Sequence, residues 1–125
     1  MARITGLGGI FYKVADTEAT KAWYRDNLGV GGEWGAMFPF KDDLPDGFTL
    51  LSPFKAATDY FAPSEAPFMI NLRVDDLDAM IADLAAKGVS ILGRQDEDYG
   101  RFAWILDPDG IKVELFQQIG GGEPE

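Results

Sequence analysis

The sequence has no cysteine and no histidine. Without cysteine there is no disulfide, no thiolate metal site and no thiol nucleophile. Without histidine the commonest metal ligand and the commonest general acid–base group are missing together, and a Ser-His-Asp triad cannot be assembled. Positive charge is scarce: 11 Lys and Arg stand against 21 Asp and Glu, a net charge of −10. That balance argues against nucleic acid or an anionic membrane as partner. It would suit a cationic ligand, and it equally serves plain solubility. No apolar run approaches the roughly 20 residues needed to cross a bilayer. The opening Met-Ala-Arg-Ile-Thr-Gly-Leu-Gly-Gly carries no apolar signal core and no cleavage site. The expectation is a cytoplasmic protein.

What is present is apolar bulk. Hydrophobic residues make up 46% and aromatics 13% of 125 positions, enough to bury a sizeable core. That length fits one domain over residues 1–125, or two half-sized modules sharing a core. An internal repeat favours the modules. Val14-Ala15-Asp16 recurs as Val74-Asp75-Asp76 at an offset of 60, and Ala19 to Leu28 matches Ala79 to Lys87. At an offset of 55, Thr49-Leu50-Leu51-Ser52-Pro53 matches Trp104-Ile105-Leu106-Asp107-Pro108, and Asp59-Tyr60-Phe61 falls on Glu114-Leu115-Phe116. Module one spans about residues 5–63 and module two about 67–118, with 119–125 a flexible tail.

Each module opens with an alternating strand, Gly9 to Val14 and Met69 to Val74. Asp16 and Asp76 then sit at helix N-caps, and Gly29 and Gly88 at helix stops. In the second helix Leu77, Met80, Ile81, Leu84 and Ala85 form one apolar face. Three shorter strands follow in each module: Glu33–Phe38, Phe48–Leu51 and Asp59–Phe61 in the first, and Ser90–Leu92, Arg101–Leu106 and Lys112–Gln117 in the second. Asp107-Pro108-Asp109-Gly110 is the turn joining the last two. Period-two alternation sends Ile70, Leu72, Val74, Val113 and Leu115 toward the helix. Met69, Asn71, Arg73, Lys112, Glu114 and Phe116 take the opposite face, joined through the repeat by Gly9, Phe11 and Lys13. Apolar bulk mixed with charge suits a ligand cavity there. If Leu106 lies opposite Lys112, Trp104 faces Glu114 and Phe102 faces Phe116; a slip of one residue would put both rings under the helix.

Three stretches resemble the vicinal-oxygen-chelate superfamily of glyoxalases, bleomycin-resistance proteins and dihydroxybiphenyl dioxygenases. They are Leu7-Gly8-Gly9-Ile10-Phe11-Tyr12-Lys13-Val14-Ala15-Asp16 with Ala22-Trp23-Tyr24-Arg25-Asp26-Asn27-Leu28-Gly29, then Met69 to Ala79, then Tyr99 to Phe116. The resemblance covers about residues 5 to 118. It implies an α+β fold in which two tandem βαβββ modules form a curved, partly open mixed sheet with a concave cavity. In metal-dependent members the ligands come from first and last strands, and the matching positions here are Gly9, Met69, Asp59 and Glu114. Glycine and a thioether are not ligands for hard divalent cations, which leaves two carboxylates. The resemblance therefore implies vestigial metal positions and no cofactor, with a weakly held divalent ion such as Mg²⁺ as the alternative.

Glu114 has two readings. It is a polar anchor or general base whose pKa an apolar pocket would raise, or a structural partner of Lys112, Arg101 or Arg73. Asp59 is a ligand relic or a surface turn residue. Phe11, Lys13, Met69, Asn71, Arg73, Phe102, Trp104 and Phe116 are the candidate ligand contacts, while Arg101 reads as structural. Trp34, Met37, Phe38 and Phe40 wall a pocket or pack in a dimer interface. The acidic runs Lys41–Gly47 and Asp96–Asp98 are solvated turns or a cation-attracting rim. The glycine-rich pieces Gly6–Gly9 and Gly29–Gly32 lack the context of a phosphate loop. The expected function is metal-independent small-molecule binding by a homodimer, comparable with antibiotic-sequestering members of the superfamily. One alternative is a lyase or isomerase of the glyoxalase type, with Glu114 as catalytic acid–base and Arg73 or Lys13 as electrophilic stabiliser. A third is an interaction domain with a vestigial cavity.

Overall fold

The computed structural model describes residue 3, residues 9–33 and residues 35–119. Both helices start where an aspartate can satisfy an orphan amide. Asp16 accepts from the Ala19 N–H at 3.1 Å and opens α1, Thr17–Trp23. Asp76 does the same for Ala79, also at 3.1 Å, and opens α2, Leu77–Ala86. A π-helical turn, Tyr24–Leu28, extends α1 and stops at Gly29 with φ +71°. Behind α2 the chain reverses at Gly88 with φ +83°, a conformation glycine adopts without a Cβ penalty.

The remaining elements are β1 (Ile70–Arg73), β2 (Gly93–Glu97), β3 (Gly100–Leu106) and β4 (Lys112–Gln118). They form one open mixed sheet in the order β1-β4-β3-β2, with β1 parallel to β4 and the other pairs antiparallel. Helix α2 covers one side. Leu77 and Leu84 pack with Ala103, Ile105, Val113 and Leu115, all fully buried, and Ile70, Leu72 and Val74 close the edge. Fully burying each such aliphatic side chain contributes about 1.5–3 kcal/mol. Helix α1 adds Tyr24 and Leu28 to the same core.

This is one βαβββ unit. It lies in the second half of the chain, and the described residues form no second unit of this kind. The first half has the expected helix, but Gly9–Val14, Phe48–Leu51, Asp59–Phe61 and the described residues of 33–38 form no strand. A strand exists only where a neighbour takes up its N–H and C=O groups. Pro39, Pro45 and Pro53 each withhold a ladder donor, and Gly35 and Gly47 favour bends. Asp59 closes a turn in which its carbonyl accepts from the Ala62 N–H at 3.0 Å. In the second half, the strand expected at Ser90–Leu92 lies at Gly93–Glu97. Trp34, residues 6–8 and the tail from 120 lie outside the described residues.

One side chain ties the halves together. Asp107, buried at the β3–β4 turn, accepts from the Asp109 and Ile111 N–H groups at 2.8 and 2.9 Å through Oδ1. Its Oδ2 accepts from the Tyr24 hydroxyl at 2.7 Å. Beside it the Thr20 hydroxyl donates to Asp109 Oδ2 at 2.5 Å. Removing the Asp107 side chain strands two amides and a phenol in the interior. Asp107→Ala is therefore expected to cost about 3 kcal/mol, and Tyr24→Phe about 1–2 kcal/mol. Urea denaturation of both variants and of the double variant checks this, with the double costing less than the two singles together.

Candidate functional site

The sheet face turned away from α2 is fixed by register. Leu106 pairs with Lys112, so Trp104 stands opposite Glu114 and Phe102 opposite Phe116. Across the parallel pair Asn71 lies beside Glu114, and Arg73 beside Phe116. Phe102 and Phe116 stack with centroids 5.0 Å apart and planes 18° from parallel, and Tyr99 meets Phe102 edge-on at 5.9 Å. Gly100 makes room for this, because a Cβ there would collide with the Phe116 ring.

A chain segment without regular structure meets this face at both ends. At one end the Arg73 guanidinium grips the Asp43 carboxylate, with its Nε 2.9 Å from Oδ1, and also donates to the Phe48 carbonyl. Gln118 Nε2 donates to the Asp46 carbonyl at 3.1 Å. At the other end Tyr60 stands edge-on to Trp104, with centroids 6.1 Å apart, and its hydroxyl lies 3.4 Å from Glu114 Oε2. Phe54 stacks on Tyr60 at 5.6 Å and tilts against Phe61 at 5.1 Å. Lys112 Nζ donates to the Tyr60 carbonyl at 2.6 Å and sits 5.1 and 5.3 Å from the Tyr60 and Trp104 ring centroids. The result is an aromatic box around a buried carboxylate and an ammonium, a setting in which cation–π attraction contributes about 0.5–2 kcal/mol. An open hollow of about 430 Å³ adjoins it through Phe54.

The structure thus brings together Asn71, Arg73, Phe102, Trp104, Glu114 and Phe116, with Met69 immediately before β1. It does not bring Phe11, Lys13 or Gly9 to them. All three are exposed on non-strand backbone, and Phe11 is 95% exposed. Arg73 is occupied by Asp43, and Arg101 approaches Asp78 at 3.8 Å. Tyr60, Asp43 and Gln118 belong to the site and escaped sequence reasoning. The signal for Tyr60 was its place in the repeat, next to Asp59 and one step from the Glu114 position.

Of the four positions matching the superfamily's metal ligands, Glu114 alone presents a carboxylate on the sheet face. Gly9 has no donor, Met69 offers a thioether, and Asp59 lies in a turn outside β4's register. Among the described residues no three Asp or Glu side chains converge as a possible cation site.

Residues 6–115 match the family model of the Glyoxalase/Bleomycin resistance protein/Dioxygenase superfamily. Among solved structures the chain is similar to TnmS3, an antibiotic binding protein from Streptomyces sp. CB03234. The TM-score is 0.60 and the identity 26%, over 95% of this chain and 100% of that one. An integron cassette protein from V. Cholerae shares the fold at TM-score 0.59 and 18% identity, over 94% of this chain and 98% of that one. A member of the glyoxalase/bleomycin resistance protein/dioxygenase superfamily from Sphaerobacter thermophilus DSM 20745 aligns at TM-score 0.50 and 20% identity, over 84% and 90%. No curated protein matches the sequence.

The electrostatics of the box centre on Glu114. Burial pushes its carboxyl above the ordinary value of 4.5, while Trp104, Tyr60 and the Lys112 ammonium pull it back. The Trp104 indole N–H is buried without an acceptor at hydrogen-bond geometry among the described residues, so it acts on Glu114 as a nearby dipole. The Tyr60 hydroxyl is pushed up to about 12 by its own burial and by the Glu114 charge. Burial lowers Lys112, against the pull of Glu114 and Asp59. Because the folded chain holds the Glu114 proton more tightly than the unfolded chain, its contribution to stability is complete below 4.5. It is lost as pH rises through the higher folded value. Glu114→Gln removes that loss. Urea midpoints of variant and parent, compared from pH 4 to 7, are expected to diverge in the variant's favour as pH rises.

Proposed function

The chain belongs to the glyoxalase/bleomycin resistance protein/dioxygenase superfamily, and from that premise we propose that it binds a small organic molecule on the aromatic face of its sheet, without a metal ion. The observation that carries this reading is the box of Phe54, Tyr60 and Trp104 around the buried Glu114 and the half-buried Lys112. Flat rings supply apolar contact at little conformational cost, and one buried acceptor fixes orientation. The likeness to an antibiotic binding protein along the whole length of both chains supports an antibiotic-like ligand. The metal-independent part rests on the donor set, in which Glu114 stands alone.

The rival, a lyase or isomerase using Glu114 as acid–base, draws on the same raised carboxyl. It needs a cation to stabilise a developing oxyanion. Arg73 is paired with Asp43, and Lys13 stands exposed away from the sheet. That favours binding over turnover.

The proposed assembly is a homodimer. Ile10, Phe11, Met37, Phe38, Phe40 and Leu51 are all more than half exposed, a concentration of apolar surface that a second copy would cover. Light scattering is expected to give twice the 13.7 kDa chain mass; a monomer at all concentrations would remove this part.

Titration with a panel of polycyclic and glycopeptide antibiotics, followed by tryptophan fluorescence, tests the binding. At least one compound is expected to bind at micromolar concentration, unaffected by EDTA, and to lose about tenfold or more in affinity in Trp104→Ala. Binding abolished by EDTA would sink the metal-independent reading. Catalytic consumption of the bound compound, lost in Glu114→Gln, would replace binding with the enzyme.

A further inference from the structure

The segment from Asp43 to Tyr60 is fastened unequally at its two ends. The Tyr60 end is held to the sheet by the Trp104 ring and the Lys112 hydrogen bond. The Asp43 end carries the bidentate Arg73–Asp43 pair, the Arg73 bond to the Phe48 carbonyl, and the Gln118 bond to the Asp46 carbonyl. Between them, among the described residues, none of residues 49–57 hydrogen-bonds the sheet, and all are exposed. Gln118 and Lys112 mark the two ends of β4, roughly 20 Å apart at about 3.3 Å per residue. The segment therefore runs the length of the strand that carries Glu114 and Phe116.

We propose that residues 43–60 form a lid over the binding face, hinged at Tyr60 and latched by Arg73 on Asp43. The Arg73–Asp43 ion pair is screened by salt, whereas the ring contact of Tyr60 with Trp104 is not. Arg73 is a positioning residue in this account, holding the lid shut without touching the ligand. The loop is shaped to the latch. Its turn is closed by the Gly47 N–H on the Leu44 carbonyl at 3.0 Å. A Cβ at Gly47 would press on Arg73 Nε at 3.2 Å and Asp43 Oδ1 at 3.3 Å. The Leu44 N–H, bonded to Asp43 Oδ1 at 2.7 Å, turns the carboxylate toward the guanidinium.

The lid rests on the sheet face being the binding site, and the test separates the two ideas. Hydrogen exchange on the full chain reports the latch with no ligand present. In Asp43→Asn the Gly47 amide, bonded to the Leu44 carbonyl, is expected to exchange at least fivefold faster, while β3 and β4 keep their rates. Parent protein in 1 M NaCl should change in the same direction. Stopped-flow binding of Nile red, a neutral apolar dye, should be faster in the variant by a similar factor. Unchanged exchange at Gly47, or equal acceleration of Gly47 and the sheet, would overturn the latch. Faster exchange with an unchanged dye association rate would overturn the lid, while binding at the face would still be judged by its own titration.

Discussion

The structure depends first on the Asp107 side chain. A two-stranded hairpin can slip, and a slip of one residue exchanges its faces. Asp107 prevents this by accepting the Asp109 and Ile111 amides with one oxygen, which fixes the turn at a single length. That length places Trp104 opposite Glu114. The second oxygen accepts from Tyr24 and so seats helix α1 on the sheet that the turn has just ordered. Register, face assignment and the seating of helix α1 all draw on one residue. Each bond is worth only about 1–2 kcal/mol net, but leaving any of these buried groups unpaired costs more than forming the bond gains.

The far side of the sheet is built on an opposed pair of effects. Burying Glu114 among rings raises the free energy of its charged form. Lys112, Tyr60 and the Trp104 indole offset part of that, and the same three groups line the box. A site arranged like this has a carboxyl whose charge responds to whatever else enters. A ligand that displaces water from the box while offering Glu114 a donor relieves the cost that the empty site carries. Burial and orientation are then one interaction seen from two sides.

The second module was legible because each of its signals was local and mutually consistent. Asp76, the Leu77–Leu84 spacing, Gly88 and the Asp107–Gly110 turn are each read within a few residues; alternation gave the face of β4, while that of β3 stayed open to a slip of one residue until the register was seen. The position of β2 was missed by a few residues because Ser90–Leu92 is the more apolar stretch, whereas Gly93–Glu97 pairs through backbone alone. The first half was legible only in its helix. Its strand patterns are real as patterns, but a strand needs a partner that alternation does not name. Tyr60 lay in the repeat and Asp43 in an acidic run, but the role of each was not legible, because each acts through a contact dozens of residues away. Arg73 shows the limit most clearly. Its face was correctly derived, yet that face could not reveal that an acidic loop had already claimed its guanidinium.

The absence of histidine bears on how much the proposed ligand must touch. A metal centre can hold a small substrate through a few strong bonds, whereas this box offers ring contacts worth about 0.5–1.5 kcal/mol each. One hydrogen bond to a charged group adds about 1.5–3 kcal/mol. Micromolar binding needs about 8 kcal/mol net of the entropy lost on association, more than the box alone provides. The shortfall has to come from further apolar area. The surface able to supply it is in the first half, where Phe11, Met37, Phe38 and Phe40 stand exposed instead of packing on their own sheet. In the proposed homodimer that surface would be ordered against a second copy, so a ligand spanning both would bind the pair more tightly than the single chain. Ligand affinity and self-association would then rise together, as thermodynamic linkage requires of any ligand that prefers the assembled form.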